Sequence, residues 1–383
     1  AGALPDMLTF TNDGNKVLVA NEGEPNEAYD NDPQGSVTIV DVSTLDIADP
    51  ETYSALEATQ VDFTTFDDRM DEAQAIGIRA YGPEATLSQD LEPEYIAVSA
   101  DDASATIVLQ ENNAVARLDL TTNSITALYA LGFKDYSSLS FDFSDTDNAA
   151  NFKTGYNVKG MYQPDALASF VGNDGETYYI SANEGEARNY EGYSEATRVG
   201  NEETITLDET AFPEGVSDDD LARLHTTTAQ NCGDIDADGD LDFICSYGAR
   251  SFSIWKYDNF ENFLSVWDSG DQIERLMAVN GQWLNEYNGT RNDDKGAEPE
   301  GVVTGQFLGR TLAFIALERA SGILVYDVTD PTAPEFMQFI YMHDHVSPEA
   351  MTFVSSSQSP NGSPMLVVAN EVSGTVAILQ PIN

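Results

Sequence analysis

A short phrase recurs along this chain and consists of a proline, an acidic residue and then a run of apolar residues. Its copies begin at Pro5, Pro83, Pro164, Pro299 and Pro348. In three copies a turn and a second apolar run follow, and that run ends at Asn21-Glu22, Asn183-Glu184 or Asn370-Glu371. Short apolar runs separated by Gly, Pro, Asn and Asp are typical of all-β repeat proteins.

The length of the repeat favours one particular all-β architecture. Units of roughly 40 to 80 residues, each with three or four antiparallel strands, fit β-propeller blades better than a sandwich. The sequence therefore predicts a single β-propeller domain over residues 1–383. Six blades are expected near residues 1–65, 81–130, 155–200, 229–268, 297–340 and 345–383, and a seventh is expected before Ala1 in the full-length protein.

Three insertions are expected between these strands, near residues 66–80, 132–153 and 201–228. The last insertion contains Ser217 followed by three aspartates, a pattern that favours the start of a short helix. A second short helix is expected from Gln272 to Val279. No linker or low-complexity segment separates the predicted blades into domains.

The repeated acids are expected to converge. In a propeller the first strand of each blade lines the central channel, so equivalent residues gather around one axis. Carboxylates at such short range stay ionised only when cations share them. The sequence therefore predicts a divalent metal at the channel mouth, held by residues drawn from Asp6, Glu22, Glu24, Glu84, Asp165, Glu184, Glu298, Glu349 and Glu371.

A second metal site is predicted in the segment from Asp234 to Asp242, where aspartates alternate and converge on Gly239. Calcium takes about six to eight oxygen ligands, and this spacing supplies them. The helical form of such a loop needs glutamate at its twelfth position, which here is Cys245, so a loop on a β-hairpin is expected instead. The expected ligands are Asp234, Asp236, Asp238 and Asp242, with Asp240 contributing its backbone carbonyl. A solvated acidic turn is the alternative.

The two cysteines, Cys232 and Cys245, bracket this aspartate loop. A hairpin at this place would bring their Cα atoms within bridging distance, which favours a disulfide. Two reduced buried thiols, or thiolate ligation of a soft metal, are the alternatives. A disulfide agrees with an exported protein.

The charge balance limits the partners. Asp and Glu number 66 against 17 Lys and Arg, a formal net charge of -49. Such a field repels nucleic acid and anionic membrane surfaces. No apolar run is long enough for a membrane span. A secreted, periplasmic or cell-surface location is expected, where salt or calcium screens the acids.

Several of the few basic residues lie inside the repeated motifs. Arginine and lysine beside metal-binding acids could neutralise a phosphoryl group, since a guanidinium pairs bidentately with its oxygens. They could equally form salt bridges that balance the acids. If the chain is an enzyme, the candidate catalytic residues are Glu186, Glu300, Arg188, Arg250, Lys295 and Arg319.

The chain resembles the mesenchyme-specific cell-surface glycoprotein-like proteins, also called the choice-of-anchor I family. The motifs that carry the resemblance span most of the chain and include Leu4 to Phe10, Ala20 to Pro25, Gly233 to Asp242, Ser246 to Trp255 and Asp293 to Gly301. The resemblance implies a secreted or surface-anchored propeller. Bacterial members are often labelled alkaline phosphatase, and metal-dependent phosphatases that are propellers hold calcium and iron, which implies a second divalent or iron ion beside calcium.

Two functions follow from these expectations. The first is an exported, calcium-binding propeller that acts as a metal-dependent phosphatase on a phosphate ester. The second is a non-catalytic matrix, adhesion or mineral-binding protein that binds an extracellular surface partner, since animal members of the resembling family are associated with calcified skeleton. Fold alone does not decide between them.

Overall fold

The computed structural model describes residues 2–49, 51–53, 56–146, 150–280 and 290–382. It divides into two compact units. Unit 1 comprises Ala1–Gly132, Asp165–Ser169 and Arg188–Ser194, and unit 2 comprises Phe133–Pro164, Phe170–Ala187 and Glu195–Asn383. None of the helices in the described part of the chain is both long and apolar enough to cross a membrane.

Unit 1 contains two four-stranded antiparallel sheets, each built from strands that are consecutive in the chain. The first sheet comprises β1 (Pro5–Phe10), β2 (Lys16–Asn21), β3 (Ser36–Asp41) and β4 (Ala58–Asp62). A 3₁₀ helix over Thr64–Arg69, α1 (Met70–Ala75) and α2 (Leu87–Asp90) follow it. The second sheet comprises β5 (Pro93–Val98), β6 (Ser104–Leu109), β7 (Ala114–Asp119) and β8 (Ser124–Ala130). Leu18, Val37 and Ile107 belong to the one apolar core that joins the two sheets.

Unit 2 begins with shorter and less regular elements. Its first strands are β9 (Phe133–Asp135) and β10 (Val158–Met161), while β11 (Leu167–Val171) is divided between the two units. The next are β12 (Thr177–Asn183), β13 (Ala196–Arg198), β14 (His225–Thr227), β15 (Ile244–Ser246), β16 (Ser251–Tyr257) and β17 (Phe263–Asp268). A 3₁₀ helix over Ala229–Asn231 precedes β15. The third sheet has the strand order β11-β12-β16-β17, in which β16 pairs antiparallel with β12 and β17. β10 pairs antiparallel with β9 and parallel with β15.

After α3 (Gln272–Val279), unit 2 ends in two regular antiparallel sheets. The fourth sheet comprises β18 (Pro299–Phe307), β19 (Arg310–Leu317), β20 (Gly322–Asp327) and β21 (Glu335–Tyr341). The last sheet comprises β22 (Pro348–Val354), β23 (Met365–Asn370) and β24 (Thr375–Leu379). Phe314 and Phe353 stack in the apolar core that these two sheets share.

The all-β expectation is confirmed, since antiparallel sheets of three or four strands make up most of the described chain. One predicted boundary is wrong. Residues 155–200 and 229–268 were expected in separate blades, yet β12 from the first range pairs with β16 from the second, with Tyr179 opposite Trp255. Between these strands, β13 and β14 form a two-stranded sheet and β15 joins β10 and β9, so the third sheet resumes after a long insertion. The number of blades stays a prediction.

The repeated proline phrase marks the first strands at three of its five copies, with two corrections. Pro164 does not begin a strand, since β11 begins at Leu167. Pro5, Pro93, Pro299 and Pro348 each begin a first strand, and a bulge follows each proline. Proline is suited to the first strand position, and a bulge re-aims the acidic side chain that comes next. Pro83 was expected in this role, but Glu84 lies in a turn with a φ of 59°, and β5 begins only at Pro93.

The helix expected from Gln272 to Val279 is confirmed as α3. The helix expected to begin at Ser217 is wrong. There the Ser217 carbonyl accepts hydrogen bonds from the amides of Asp220 and Ala222, both at 3.0 Å, and the chain forms only turns. Three successive aspartates in a single turn repel one another, and Leu221 and Leu224 are drawn into the unit 2 core instead.

Candidate functional site

The first candidate site is an acid cluster in unit 1 formed by Asp6, Glu22 and Glu94. One carboxylate oxygen from each lies within 4.8 Å of the others. Pro5 pairs with Asn21 across β1 and β2, so Asp6 and Glu22 come to the same end of the first sheet. Glu94 follows the proline that begins β5, where a corresponding bulge turns its side chain. We call this trio the unit 1 acid cluster.

Electrostatic repulsion in this cluster is strong. Burial raises the pKa of Glu22 to about 8, and the charges of Glu24, Glu111 and Asp6 add to the shift. Burial also raises the pKa of Glu94 well above its usual range, with Asp165 and Glu111 the next contributors. Among the described residues, the groups that shift these two carboxyls are all acidic. The cluster is therefore short of positive charge.

Unit 2 holds a second acid cluster, formed by Glu184, Glu298 and Glu318, that is also within 4.8 Å. Here basic side chains are interleaved with the acids. Lys295 contacts Glu184 and lies 2.9 Å from Glu186, and Arg291 and Arg319 lie 2.7 Å and 3.0 Å from the carboxylate oxygens of Glu298. We call this group the unit 2 ion network.

The cations change the electrostatics of this network. Burial raises the pKa of Glu184 to about 7, but Lys295 opposes the shift. Burial lowers the pKa of Lys295, and the carboxylates of Glu184, Glu186 and Glu298 more than offset it, so its pKa lies well above the usual range. The protein's own lysine and arginines therefore balance these acids, which distinguishes the network from the unit 1 acid cluster.

The aspartate loop brings three of its predicted ligands together. Carboxylate oxygens of Asp234, Asp236 and Asp242 lie within 4.8 Å of one another. The amides of Ala237 and Gly239 donate to Asp234 at 2.7 Å and 3.1 Å, which curls the loop around that carboxylate. The nearby charge of Asp238 contributes most to the raised pKa of Asp236, whereas burial contributes most to the raised pKa of Asp240. Asp238 and Asp240 lie outside the trio.

The local fold around this loop differs from the expected hairpin. The strand that follows it, β15, is shorter than the expected run from Phe243 to Tyr247, and it pairs in parallel with β10. The disulfide between Cys232 and Cys245 is confirmed, with the two Cα atoms 6.1 Å apart. Gly233 has a φ of 103°, and a Cβ on it would lie 2.1 Å from the carbonyl oxygen of Phe243, so only glycine fits beside the bridge.

Two arginines expected near substrate lie in the interior instead. Arg188 is 1% exposed and pairs with Asp90 at 2.9 Å and with Glu92 at 3.0 Å. Its guanidinium also stacks 4.9 Å from the centre of the Tyr81 ring. These contacts match the salt-bridging alternative that the sequence left open.

Arg250 is buried to the same extent in unit 2. It pairs with Glu274 on α3 at 3.2 Å and donates to the backbone carbonyls of Asn292 and Asp294 at 2.5 Å and 2.7 Å. Burial raises the pKa of Glu274 to about 7, and the Arg250 charge opposes that shift. Arg250 thus fastens α3 to the segment that carries Lys295.

The other predicted metal ligands are distributed unevenly. Glu24 accepts a hydrogen bond from the Tyr190 hydroxyl at 3.0 Å, beside the unit 1 acid cluster. Asp165 is near enough to raise the pKa of Glu94. Glu84, Glu349 and Glu371 are exposed. Glu300 follows the proline that begins β18 and is half-buried.

Sequence reasoning missed Glu94 and Glu111 in unit 1. Both had a signal in the repeat. Pro93-Glu94 precedes the apolar run Tyr95 to Val98 just as Pro5-Asp6 precedes its own, and Glu111 follows β6 nearly as Glu22 follows β2. The neighbouring Pro83-Glu84 copy concealed the true start of the strand.

Curated relatives match only part of their own length. The chain is 24% identical over 334 residues to the mesenchyme-specific cell surface glycoprotein of Strongylocentrotus purpuratus, covering 78% of this chain and 41% of that protein. It is 26% identical over 169 residues to Gigasin-3a of Magallana gigas, covering 37% of this chain and 58% of that protein. The chain therefore spans about half the length of these relatives.

Similar solved structures include a β-propeller domain of Cps50 from Myceliophteria thermophila, with a TM-score of 0.39, 8% identity, and coverage of 99% of this chain and 84% of that chain. A putative 6-phosphogluconolactonase from Bacteroides uniformis gives a TM-score of 0.39 and 11% identity, with coverage of 98% and 80%. Similarities this weak carry no argument about the site. The choice-of-anchor I domain model, by contrast, matches residues 1–331, so the chain belongs to the choice-of-anchor I family.

Proposed function

We propose that this chain is an extracellular calcium-binding protein, with one cation at the unit 1 acid cluster and a second in the aspartate loop. The unit 1 acid cluster is the observation that carries the proposal. Its three carboxylates converge within 4.8 Å, and burial and neighbouring acids raise the pKa of Glu22 to about 8. A divalent cation would relieve that repulsion with the oxygen ligands that calcium prefers.

The aspartate loop supports the second cation independently. Its trio of carboxylates is held by backbone amides, and the disulfide joins the two ends of the segment. A loop constrained in this way loses less conformational freedom when it closes on an ion. The bridge also agrees with an extracellular location, as does the name of the sea urchin relative, which describes a cell surface glycoprotein.

Replacing Glu22 with glutamine is expected to weaken calcium binding at the unit 1 acid cluster by at least about tenfold, because a neutral amide replaces one of three converging carboxylates. Isothermal titration of the chelator-stripped protein with calcium measures the change. Glu84→Gln is the matched control, since Glu84 is an exposed glutamate outside the cluster. Equal calcium affinities for Glu22→Gln and Glu84→Gln would remove this site from the proposal.

The raised pKa of Glu22 also predicts a pH effect on the metal-free protein. Between the usual pKa of 4.5 and about 8, the folded state holds a proton that the unfolded state releases. Rising pH across this window therefore destabilises the folded state. We expect the thermal midpoint in chelator to fall more steeply for the wild type than for Glu22→Gln. Parallel pH profiles would contradict the assignment, and added calcium should flatten the wild-type profile.

Hydrolysis of a phosphate ester stays a prediction from the sequence. The basic side chains that this hydrolysis would use are paired with carboxylates. Lys295 contacts Glu184 and Glu186, and Arg319 lies 2.8 Å from Glu318. The calcium-binding, non-catalytic interpretation is therefore the better supported of the two. Turnover of a chromogenic phosphate ester that requires added calcium or iron, and that Glu186→Gln or Glu300→Gln abolishes, would reverse this preference.

A further inference from the structure

The second strand of three sheets ends in a buried asparagine, at Asn21, Asn183 and Asn370. A buried amide costs free energy unless hydrogen bonds satisfy it. The second and fourth sheets place a buried leucine at the same point, since Leu109 and Leu317 end β6 and β19. Packing is therefore possible here without a polar side chain, and the asparagines need another explanation.

The third strand of each sheet differs together with this position. The pairs are Asn21 with Ser36, Asn183 with Ser251 and Asn370 with Thr375 in a polar version, and Leu109 with Ala114 and Leu317 with Gly322 in an apolar version. Two residues further along the third strand, Thr38 and Ser253 accept hydrogen bonds from their asparagines at 3.0 Å and 2.8 Å, whereas β7 has Ala116 there. Both versions are compatible with the fold.

Asn21 joins three segments of unit 1. Its side-chain nitrogen Nδ2 donates to the Thr38 hydroxyl at 3.0 Å and to the Ser36 backbone carbonyl at 3.1 Å. Its oxygen Oδ1 accepts from the Gly2 amide at 2.8 Å. A Cβ on Gly2 would lie 2.6 Å from the Ser36 hydroxyl oxygen, so the segment before β1 packs directly on this hydrogen-bonded group. Asn21 thus ties that segment to β2 and β3.

The segments that Asn21 joins lead to two members of the unit 1 acid cluster. Asp6 follows Gly2 by four positions, and Glu22 is the next residue after Asn21. The Glu22 amide donates to the Leu4 carbonyl at 3.0 Å, which joins the same two segments at a second point. Hydrogen-bonding partners behind metal ligands orient those ligands, and their loss typically costs about 10- to 100-fold in metal affinity.

We propose that Asn21 is a positioning residue for the unit 1 cation site. It fixes the backbone from which Asp6 and Glu22 project, and it thereby sets the spacing of their carboxylates. The inference rests on the proposed function of the unit 1 acid cluster. The corresponding Asn183 precedes Glu184, which pairs with Lys295 in the unit 2 ion network, so Asn183 holds a carboxylate that already has its cation.

Calcium titration of the chelator-stripped full chain tests the role of Asn21. Asn21→Leu should weaken, by about tenfold, the binding step that Glu22→Gln also weakens, because leucine cannot hold the Gly2 segment against β2. Asn183→Leu is the matched control, since it removes a buried asparagine from the corresponding position in unit 2. Both variants should lower the thermal midpoint, but only Asn21→Leu should weaken this step. Equal calcium affinities for the two variants would overturn the inference, because Asn21 would then only stabilise the fold.

A triple change separates calcium affinity from the loss of stability. Asn21→Leu combined with Ser36→Ala and Thr38→Ala reproduces the apolar version of the second sheet and leaves no hydroxyl without its asparagine. Circular dichroism and thermal unfolding should show a folded chain more stable than Asn21→Leu, while the calcium step stays about tenfold weaker than in the wild type. Wild-type calcium affinity in this variant would overturn the inference alone. A wild type without the Glu22-dependent step would overturn the proposed cation site and the inference with it.

Discussion

Replacing Arg188 with alanine is expected to lower the free energy of unfolding by about 3–5 kcal/mol, because it leaves the buried carboxylates of Asp90 and Glu92 without their cation. Both ion pairs lie inside unit 1, and all three side chains are almost completely buried. Burial raises the pKa of Glu92, and the Arg188 charge opposes that shift. Urea unfolding of the wild type and of Arg188→Ala at one pH measures the difference.

The control for this measurement is an exposed arginine. Arg69 pairs with Glu72 at 2.8 Å on the surface, with side chains 51% and 70% exposed, so Arg69→Ala should cost less than about 1 kcal/mol. A double change of Asp90→Asn and Glu92→Gln in the Arg188→Ala background should recover part of the loss, since it removes the unpaired charges. If Arg188→Ala were as stable as Arg69→Ala, the structural role assigned to Arg188 would be contradicted. Substrate binding would then be the better interpretation of this residue.

Removing the disulfide by the double change Cys232→Ala and Cys245→Ala is expected to lower the free energy of unfolding by about 2–4 kcal/mol. The bridge joins residues 13 positions apart and encloses the aspartate loop, so its loss releases that whole segment in the unfolded chain. Calcium affinity at the loop should fall as well, because binding would then have to order a freer segment. Chemical unfolding and calcium titration of the double variant measure the two effects.

Ser246→Ala is the matched control for the disulfide variant, since Ser246 is a small, buried residue beside Cys245 in β15. It should change stability much less than the loss of the bridge. An unfolding midpoint for the double variant equal to that of Ser246→Ala would show that the bridge does not stabilise this unit. An unchanged calcium affinity would show that calcium binding at the aspartate loop does not depend on the disulfide.

Local sequence was sufficient for much of the secondary structure. The apolar runs that end at Asn21, Asn183 and Asn370 are strands β2, β12 and β23, each ending where the sequence indicated. Period-two alternation, proline at strand starts and polar turns are local signals, so they can be recognised without knowledge of the tertiary fold. The disulfide could also be predicted from the sequence, since Cys232 and Cys245 are the chain's two cysteines.

Strand partners were harder to predict because pairing is not local. β12 reaches its neighbour β16 only after an insertion of more than sixty residues, which the sequence divided into two blades. Likewise Pro83-Glu84 and Pro93-Glu94 carry the same phrase ten residues apart, and only the pairing of β5 with β6 selects the second. A repeat motif indicates which residues suit the start of a first strand. The hydrogen-bonded register decides which copy of the motif occupies that position.

The sequence by itself determined that this chain is an acidic all-β repeat protein of the choice-of-anchor I family with acids at strand ends. It favoured a disulfide around the aspartate loop, which the structure confirmed. Only the tertiary structure decided which of the described acids pair with a lysine or an arginine. Arg188 meets its two acids from about a hundred positions away, and Lys295 meets Glu184 from a similar distance. Charge compensation depends on distance in space and on burial, which no local pattern records. The sequence therefore named Asp6 and Glu22 among its candidate ligands, but only the tertiary structure distinguished the unit 1 acid cluster from the ion-paired acids of unit 2.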